Sequence, residues 1–558
     1  MAAAQTAASP PPVQPVANPC PRFAQSAQVQ EPPALTSSGG QLVASFSFQT
    51  TVDAQGRTLY CFMTPDGLQN PTLHVKGGDT LLLTITNNTP QSIDPPMPLA
   101  PPNCNATWMS ASSVNLHYHG TNTLPNCGGD EVIKTVINSG QTFLYTINFP
   151  TDQPPGLYWY HPHIHGVADP VVMGGATGAL VVDGIESLQP GVAGLPQRTL
   201  VVRDQRQYQS VGEAGGTCVI GVPFRDVSVN YVPVNSYAAS QQVAFFIPGN
   251  LTVPVGEQEL WRVGNTSADS ILDLQLIYDG QVQPLWIAAI DGVPLNSQDG
   301  TGTGSLQKQY NFRLPPASRV EFVVTTPGAS VQSAQLVTNN INTGPAGDCD
   351  PRRPLIKIAA VAGTASAAKL AARPLPPGGG RRFARRAGTG TPTPRTVYFS
   401  ENGENFFMTV DGQIPVPFSP DMPPGIVTTQ DAVEVWTVQN RSQENHEFHI
   451  HQIHFQVISQ NNFGSHPQAP GIAGQYLDTI EVPAWDGVSP NYPSVTLGLD
   501  FAGAVQGSFV FHCHILGHED NGMMNIIQVG PPGRATKPVA AAARPSAPVT
   551  ATPAAHTH

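Results

Sequence analysis

The run Val510-Phe511-His512-Cys513-His514 is apolar, β-branched and aromatic around its polar residues, and it reads as a β-strand. On a strand, successive side chains point to opposite faces, and residues two apart share one. Cys513 therefore faces one way, while His512 and His514 face the other. A thiolate is thus joined through a few backbone bonds to two imidazoles across the same sheet, which suits a conductor between two metal sites. The loop that follows carries His518 five residues after Cys513, and Met523 five further on. Two imidazoles, one thiolate and a long axial thioether make a blue-copper electron-transfer centre. Zinc has no redox chemistry and little use for a thioether. This loop supplies one imidazole, so the second must come from elsewhere.

The other histidines are not scattered either. His117 with His119, His161 with His163, His449 with His451, and His512 with His514 are all pairs two residues apart, which a strand presents on one face. Neutral imidazole is the commonest metal ligand in proteins. Eight of them are too many for one ion and suit three, gathered where two domains meet. His446 is odd in parity against His449 and His451, so it can serve the opposite face. There it completes the Cys513, His518 and Met523 set. His165 and His454 are left over and read as partners of ligands or as surface residues.

Composition sets the architecture around these motifs. The chain has 558 residues, of which 53 are Gly and 57 Pro and only 11% are charged. That balance suits short strands joined by turn-rich loops, and the expected fold class is all-β. Strand and turn signals divide the chain into 41–185, 196–363 and 396–530. A Pro/Ala-rich segment over 1–40 is expected to be disordered. A basic, Pro/Gly-rich linker over 364–395 carries Arg381, Arg382, Arg385 and Arg386, and 531–558 is a low-complexity tail. The middle unit holds none of the histidine pairs and reads as a spacer or cover. A net charge of −12 argues against nucleic acid as a partner. No apolar run approaches the ~20 residues of a membrane-spanning helix.

Seven cysteines are present. With Cys513 reserved for metal, Cys20, Cys61, Cys104, Cys127, Cys218 and Cys349 remain, an even set that permits three disulfides. Cys104 with Cys127 is the favoured pair, since both lie in loops bracketing the His117 strand. Disulfides point to an oxidising compartment, extracellular or periplasmic, although no signal peptide is visible in MAAAQTAASPPPVQP.

The motifs HYHG, WYHPHIH, HEFHIH and HCHILGHEDNGMM resemble, in the same order, the four copper signatures of the multicopper oxidases, in particular laccase-like bacterial members. The resemblance spans about 40–185 and 396–529, and the middle unit more weakly. It implies three cupredoxin-like Greek-key domains, four copper ions per chain, and a trinuclear cluster between the first and third domains. Carried over by position, His446, Cys513, His518 and Met523 would hold type 1 copper, and His117 with His449 type 2. His119, His161, His163, His451, His512 and His514 would hold the type 3 pair. Glu447 and Gln452 depart from the family's usual Pro and Gly, and are expected to reshape the substrate edge near His446. The resemblance further implies that a substrate gives up single electrons beside His518. These pass through Cys513, His512 and His514 to the cluster, where dioxygen becomes water. Glu519 and Asp130 resemble the family's proton donors, and Met523 implies a moderate potential. Phenols and aromatic amines are the expected substrates, on a monomer. A metal-ion oxidase acting on Cu(I), Fe(II) or Mn(II) is the alternative, weakened by only nine Met. A non-catalytic copper binder would not need four HxH pairs.

Overall fold

The structure, a computed structural model, describes residues 19–532 apart from 91–103, 107–108, 111, 206–224, 237–244, 299–301, 364–366, 368–374, 376–378, 381–390, 404, 465–470 and 504. Residues 1–18, the four linker arginines, Cys218 and the residues beyond 532 lie outside these residues.

Strands fall into three successive sets, each dominated by two sheets. In the first, a four-stranded sheet runs in the order Thr58–Met63, Gln41–Val52, Thr80–Asn87, Thr142–Asn148. A five-stranded sheet runs Ala34–Thr36, Thr72–Val75, Gly178–Val182, Gly156–His161, His117–His119. The segment TLLLTITN shows why they face each other: Leu81, Leu83 and Ile85 alternate with less buried residues and meet Leu73, Val75 and Leu180 in one core. The middle set, from Gln197–Gln205 to Arg353–Ala360, builds two larger sheets. The third joins a six-stranded sheet, which contains Val433–Asn440, to a five-stranded one. The latter runs Ile426–Thr429, Met524–Gly530, Gly507–Cys513, His446–Ile450, Thr479–Val482. Trp436, Val438, Phe448 and Phe511 pack between them.

Two expectations need correction. Residues 19–40 are not disordered. Cys20 is bonded to Cys61, Val29 is buried in the core of the middle set, and Ala34–Thr36 pairs in parallel with residues 72–74. A covalent tie and a sheet edge outweigh the low hydrophobicity of this segment. The third set begins at Thr393, because Thr393–Asn402 pairs in parallel with Val433–Asn440 over its whole first half. The Cys104–Cys127 disulfide is present as expected, Cys349 is also disulfide-bonded, and Cys513 is the free cysteine among the described residues. No described helix is long and apolar enough to cross a membrane.

Candidate metal centre

Strand register delivers the parity argument in three dimensions. Phe448 lies opposite Cys513, and His449 opposite His512, across the antiparallel pair His446–Ile450 and Gly507–Cys513. His446 and Cys513 thus share one face, while His449 and His512 share the other. On the first face the Cys513 Sγ sits 3.6 Å from His446 Nδ1 and 3.8 Å from His518 Nδ1, and the two nitrogens are 3.1 Å apart. Donor atoms bound at ~2.0–2.3 Å around one ion are separated by roughly this much. His446 turns its other nitrogen to Ser442 Oγ at 2.7 Å and Glu401 Oε1 at 2.9 Å, which leaves Nδ1 for the shared centre. Burial pushes the Cys513 thiol up, but hydrogen bonds and charge from His446 and His518 outweigh it and bring the group down to about 6. A thiolate at neutral pH is the form that binds metal. Met523 is buried in the same apolar cluster, its backbone bonded to Cys513 and His518. His518 carries Phe406 stacked on its face at 4.4 Å, and its Nε2 lies 3.4 Å from Glu444 Oε2.

On the opposite face the eight remaining rings converge. In the first set, the antiparallel pairing puts His117 opposite His161 and His119 opposite Trp159. The ring of His117 stacks on His451 at 3.7 Å, and that of His119 on His449 at 3.9 Å, so each stack takes one ring from each set. His512 Nε2 lies 3.2 Å from His451 Nε2 and 3.4 Å from His163 Nε2. Ligand atoms of His117, His119 and His161, of His117, His449 and His451, and of His163, His451 and His512 form three groups, each within 4.8 Å.

The chemistry of these nitrogens fits metal. All eight rings are buried, and one nitrogen each of His117, His119, His161, His449 and His451, with both of His514, has no hydrogen-bond partner. Such orphans are costly inside a protein. Burial first, then neighbouring imidazoles, hold His119, His161, His163, His449, His451 and His514 well below their ordinary range, so they stay neutral with a lone pair free. The second nitrogen is fixed from behind: His117 Nδ1 by Asp130 Oδ1 at 2.9 Å, His161 Nδ1 by Pro162 O at 2.9 Å, and His449 Nδ1 by Asp478 O at 2.8 Å. Glu519, in the short helix Leu516–Asp520, places its carboxylate 3.1 Å from His512 Nδ1 and 3.6 Å from His163 Nδ1.

His165 and His454 lie outside this set of rings. His165 Nε2 reaches Ile133 O at 3.1 Å, and His454 Nε2 reaches Asp291 O at 2.9 Å. The two departures from the family pattern, expected to reshape the substrate edge near His446, are both buried side chains. Glu447 is buried opposite Glu481, where burial holds its carboxyl well above the usual range. Gln452 donates from Nε2 to Asp130 Oδ2 at 2.7 Å. Four polar residues were missed in the sequence: Glu401 and Glu444 beside the thiolate site, and Asp478 and Arg319 beside the ring cluster. A charged residue inside an apolar strand run, as in PASRVEFVV, was the available signal for Arg319.

Comparison with known proteins places this geometry in a family. Two models described as multicopper oxidase match residues 105–187 and 390–533. A multicopper oxidase of Staphylococcus haemolyticus is 22% identical over 473 residues, covering 83% of this chain and 82% of the relative. A laccase of Haloferax volcanii is 37% identical over 93 residues, 17% of this chain and 14% of that one. Among solved structures, the McoA multicopper oxidase of Aquifex aeolicus aligns with a TM-score of 0.65 at 18% identity, over 90% of this chain and 99% of that one. A Campylobacter jejuni multicopper oxidase described as a metallo-oxidase gives 0.64 at 19%, over 91% and 96%. The fold is the cupredoxin-like β-sandwich architecture of such enzymes. The chain belongs to the multicopper oxidase family. It is a copper-dependent oxidoreductase that uses dioxygen.

Proposed function

We propose that this chain is a laccase-like oxidase of three cupredoxin-like units, about 34–185, 197–360 and 393–530, that oxidises phenols and aromatic amines one electron at a time. The observation that carries the reading is the strand Gly507–Cys513. Its thiolate belongs to one three-residue centre, and the two flanking imidazoles belong to the eight-ring cluster on the far side. His446, Cys513, His518 and Met523 would hold type 1 copper. His117 and His449 would hold type 2 copper, and His119, His161, His163, His451, His512 and His514 the type 3 pair. Copper bound there would supply one-electron acceptance at the thiolate and four-electron reduction of dioxygen at the cluster.

The chain's own residues do the rest. His518, 8% exposed, is the ring nearest solvent and the edge at which a reductant docks. Phe406 shields one of its faces, and Glu444 accepts an O–H or N–H from a substrate at its Nε2 side. Glu519 and Asp130 stand beside the ring cluster as the groups that relay protons to it, where dioxygen reduction consumes them. The disulfides support an extracytoplasmic location, and a monomer is the expected state.

One observation favours a second reading, a cationic metal-ion reductant. Two carboxylates stand beside the imidazoles of the thiolate site: Glu444 Oε2 lies 3.4 Å from His518 Nε2, and Glu401 Oε1 lies 2.9 Å from His446 Nε2. An oxygen electrode with a phenol, an aromatic amine, Fe(II) and Mn(II) in turn separates the two. Copper counting is run beside it, and fewer than four ions per chain would overturn the assignment of ligands.

A further inference from the structure

We propose that the middle unit sets the geometry of the copper cluster through Arg319, which acts as a positioning residue for His119 and His449. This rests on the reading of the eight rings as a copper site. Asp478 touches both rings, more closely than its neighbour Thr479, whose Oγ1 lies 3.4 Å from His119 Nε2 and from His449 Nδ1. Asp478 Oδ1 lies 3.1 Å from His119 Nε2, and its backbone oxygen accepts from His449 Nδ1 at 2.8 Å. These are the two rings stacked at 3.9 Å, one from the first unit and one from the third.

Asp478 is in turn held by the middle unit at both ends. Arg319, in the strand Arg319–Thr325, donates to Asp478 Oδ1 at 2.7 Å and Oδ2 at 2.6 Å. Asp291 Oδ2 accepts from the Asp478 backbone N–H at 3.2 Å, and Asp291 Oδ1 accepts from Arg319 N at 2.9 Å. The same guanidinium donates to Leu157 O, in the strand Gly156–His161 that carries Trp159 and His161, at 3.1 Å. One side chain thereby joins all three units, and all three of these charged groups are fully buried.

The consequence for copper is a choice of ring nitrogen. A carboxylate whose oxygens both receive guanidinium hydrogens can only accept. His119 Nε2 must then donate to it, which leaves the Nδ1 lone pair turned away. That Nδ1 is the atom without a hydrogen-bond partner. Burial pushes the Arg319 guanidinium down, but Asp478 and Asp291 outweigh it, so the charge that pins the carboxylate is permanent. The glycine of the HYHG motif gives independent support. A Cβ on Gly120, whose φ of 82° itself favours glycine, would collide with Asp478 Oδ2 and Arg319 Nη2, so the first unit leaves out a side chain where this pair passes.

Partners behind metal-bound histidines typically change metal affinity by ~10–100-fold. Arg319→Gln should therefore keep the blue absorption of the type 1 centre, bind copper at the cluster ~10–100-fold more weakly, and alter the type 2 electron paramagnetic resonance signal. Arg319→Lys, which keeps the charge but cannot donate to Leu157 O and both Asp478 oxygens together, should show the same changes to a lesser degree. It decides the matter if the Gln variant does not fold. Arg262→Gln is the matched control. It breaks a buried ion pair with Glu321, whose Oε1 accepts from Leu157 N at 2.7 Å. It thus disturbs the same strand of the first unit without touching Asp478, and should leave copper content and spectra unchanged. Four coppers, an unaltered signal and normal turnover in Arg319→Lys would overturn the proposal, as would equal copper loss in Arg262→Gln. Fewer than four coppers in the unaltered protein would instead refute the underlying reading of the cluster.

Discussion

Replacing Gln452 by Gly restores the residue the family usually places there, and the structure predicts that this restoration is harmful. Gln452 has φ of 58°, the left-handed region that costs a side chain about 1–2 kcal/mol. Its Oε1 is buried without a partner, a further cost of about 1–2 kcal/mol. Glycine removes both. Against this stand the Nε2 bond to the Asp130 carboxylate at 2.7 Å, worth about 1.5–3 kcal/mol, and two buried methylenes at about 0.8 kcal/mol each. Glycine also adds unfolded-state entropy of about 0.5–1 kcal/mol. The losses exceed the gains by about 1.5 kcal/mol, and the bond to Asp130 sets the sign. The assay is denaturant unfolding of the copper-free chain in a double-mutant cycle with Asp130→Ala. In the Asp130→Ala background the bond is already gone, so Gln452→Gly should become neutral or slightly stabilising. Equal destabilisation in both backgrounds would refute the reasoning.

Four more outcomes follow from the geometry. Cys513→Ser should abolish blue absorption and oxidase activity together, and turnover that survives would disprove the conducting strand. Glu519→Gln should slow dioxygen consumption by ~100-fold or more, the scale of a proton-transfer group, with reductant binding unchanged in a stopped-flow trace. Glu444→Gln should raise KM for a divalent cation about 5-fold, as loss of a partly exposed ion pair does, while leaving a neutral phenol nearly unaffected. In the copper-free chain the Cys513 thiolate absorbance should fall as pH drops through about 6. His518→Gln removes one of the two groups that lower this thiol, so the midpoint should move upward, and a midpoint that stays put would contradict the pairing.

What could be read from the sequence was whatever strand alternation alone decides. Cys513 between His512 and His514, and His446 against His449 and His451, follow from period-two geometry that no tertiary contact can reverse without breaking the sheet. Which of these residues share a face was legible for that reason. The groups behind the rings were not, because they arrive from distant sequence: Asp478 meets His119 across 359 residues, and Arg319 meets Asp478 across 159. Gln452 shows the same limit at a residue that was noticed. Its place beside His451 suggested the substrate edge, yet its left-handed backbone turns the amide to Asp130, 322 residues away. The middle unit looked like a spacer because it holds none of the histidine pairs, but a positioning role leaves no repeated motif. It requires a charged side chain among strand hydrophobes, and Arg319 and Arg262 look alike until the fold gives one a histidine's partner, Asp478, and the other Glu321 and Gln197.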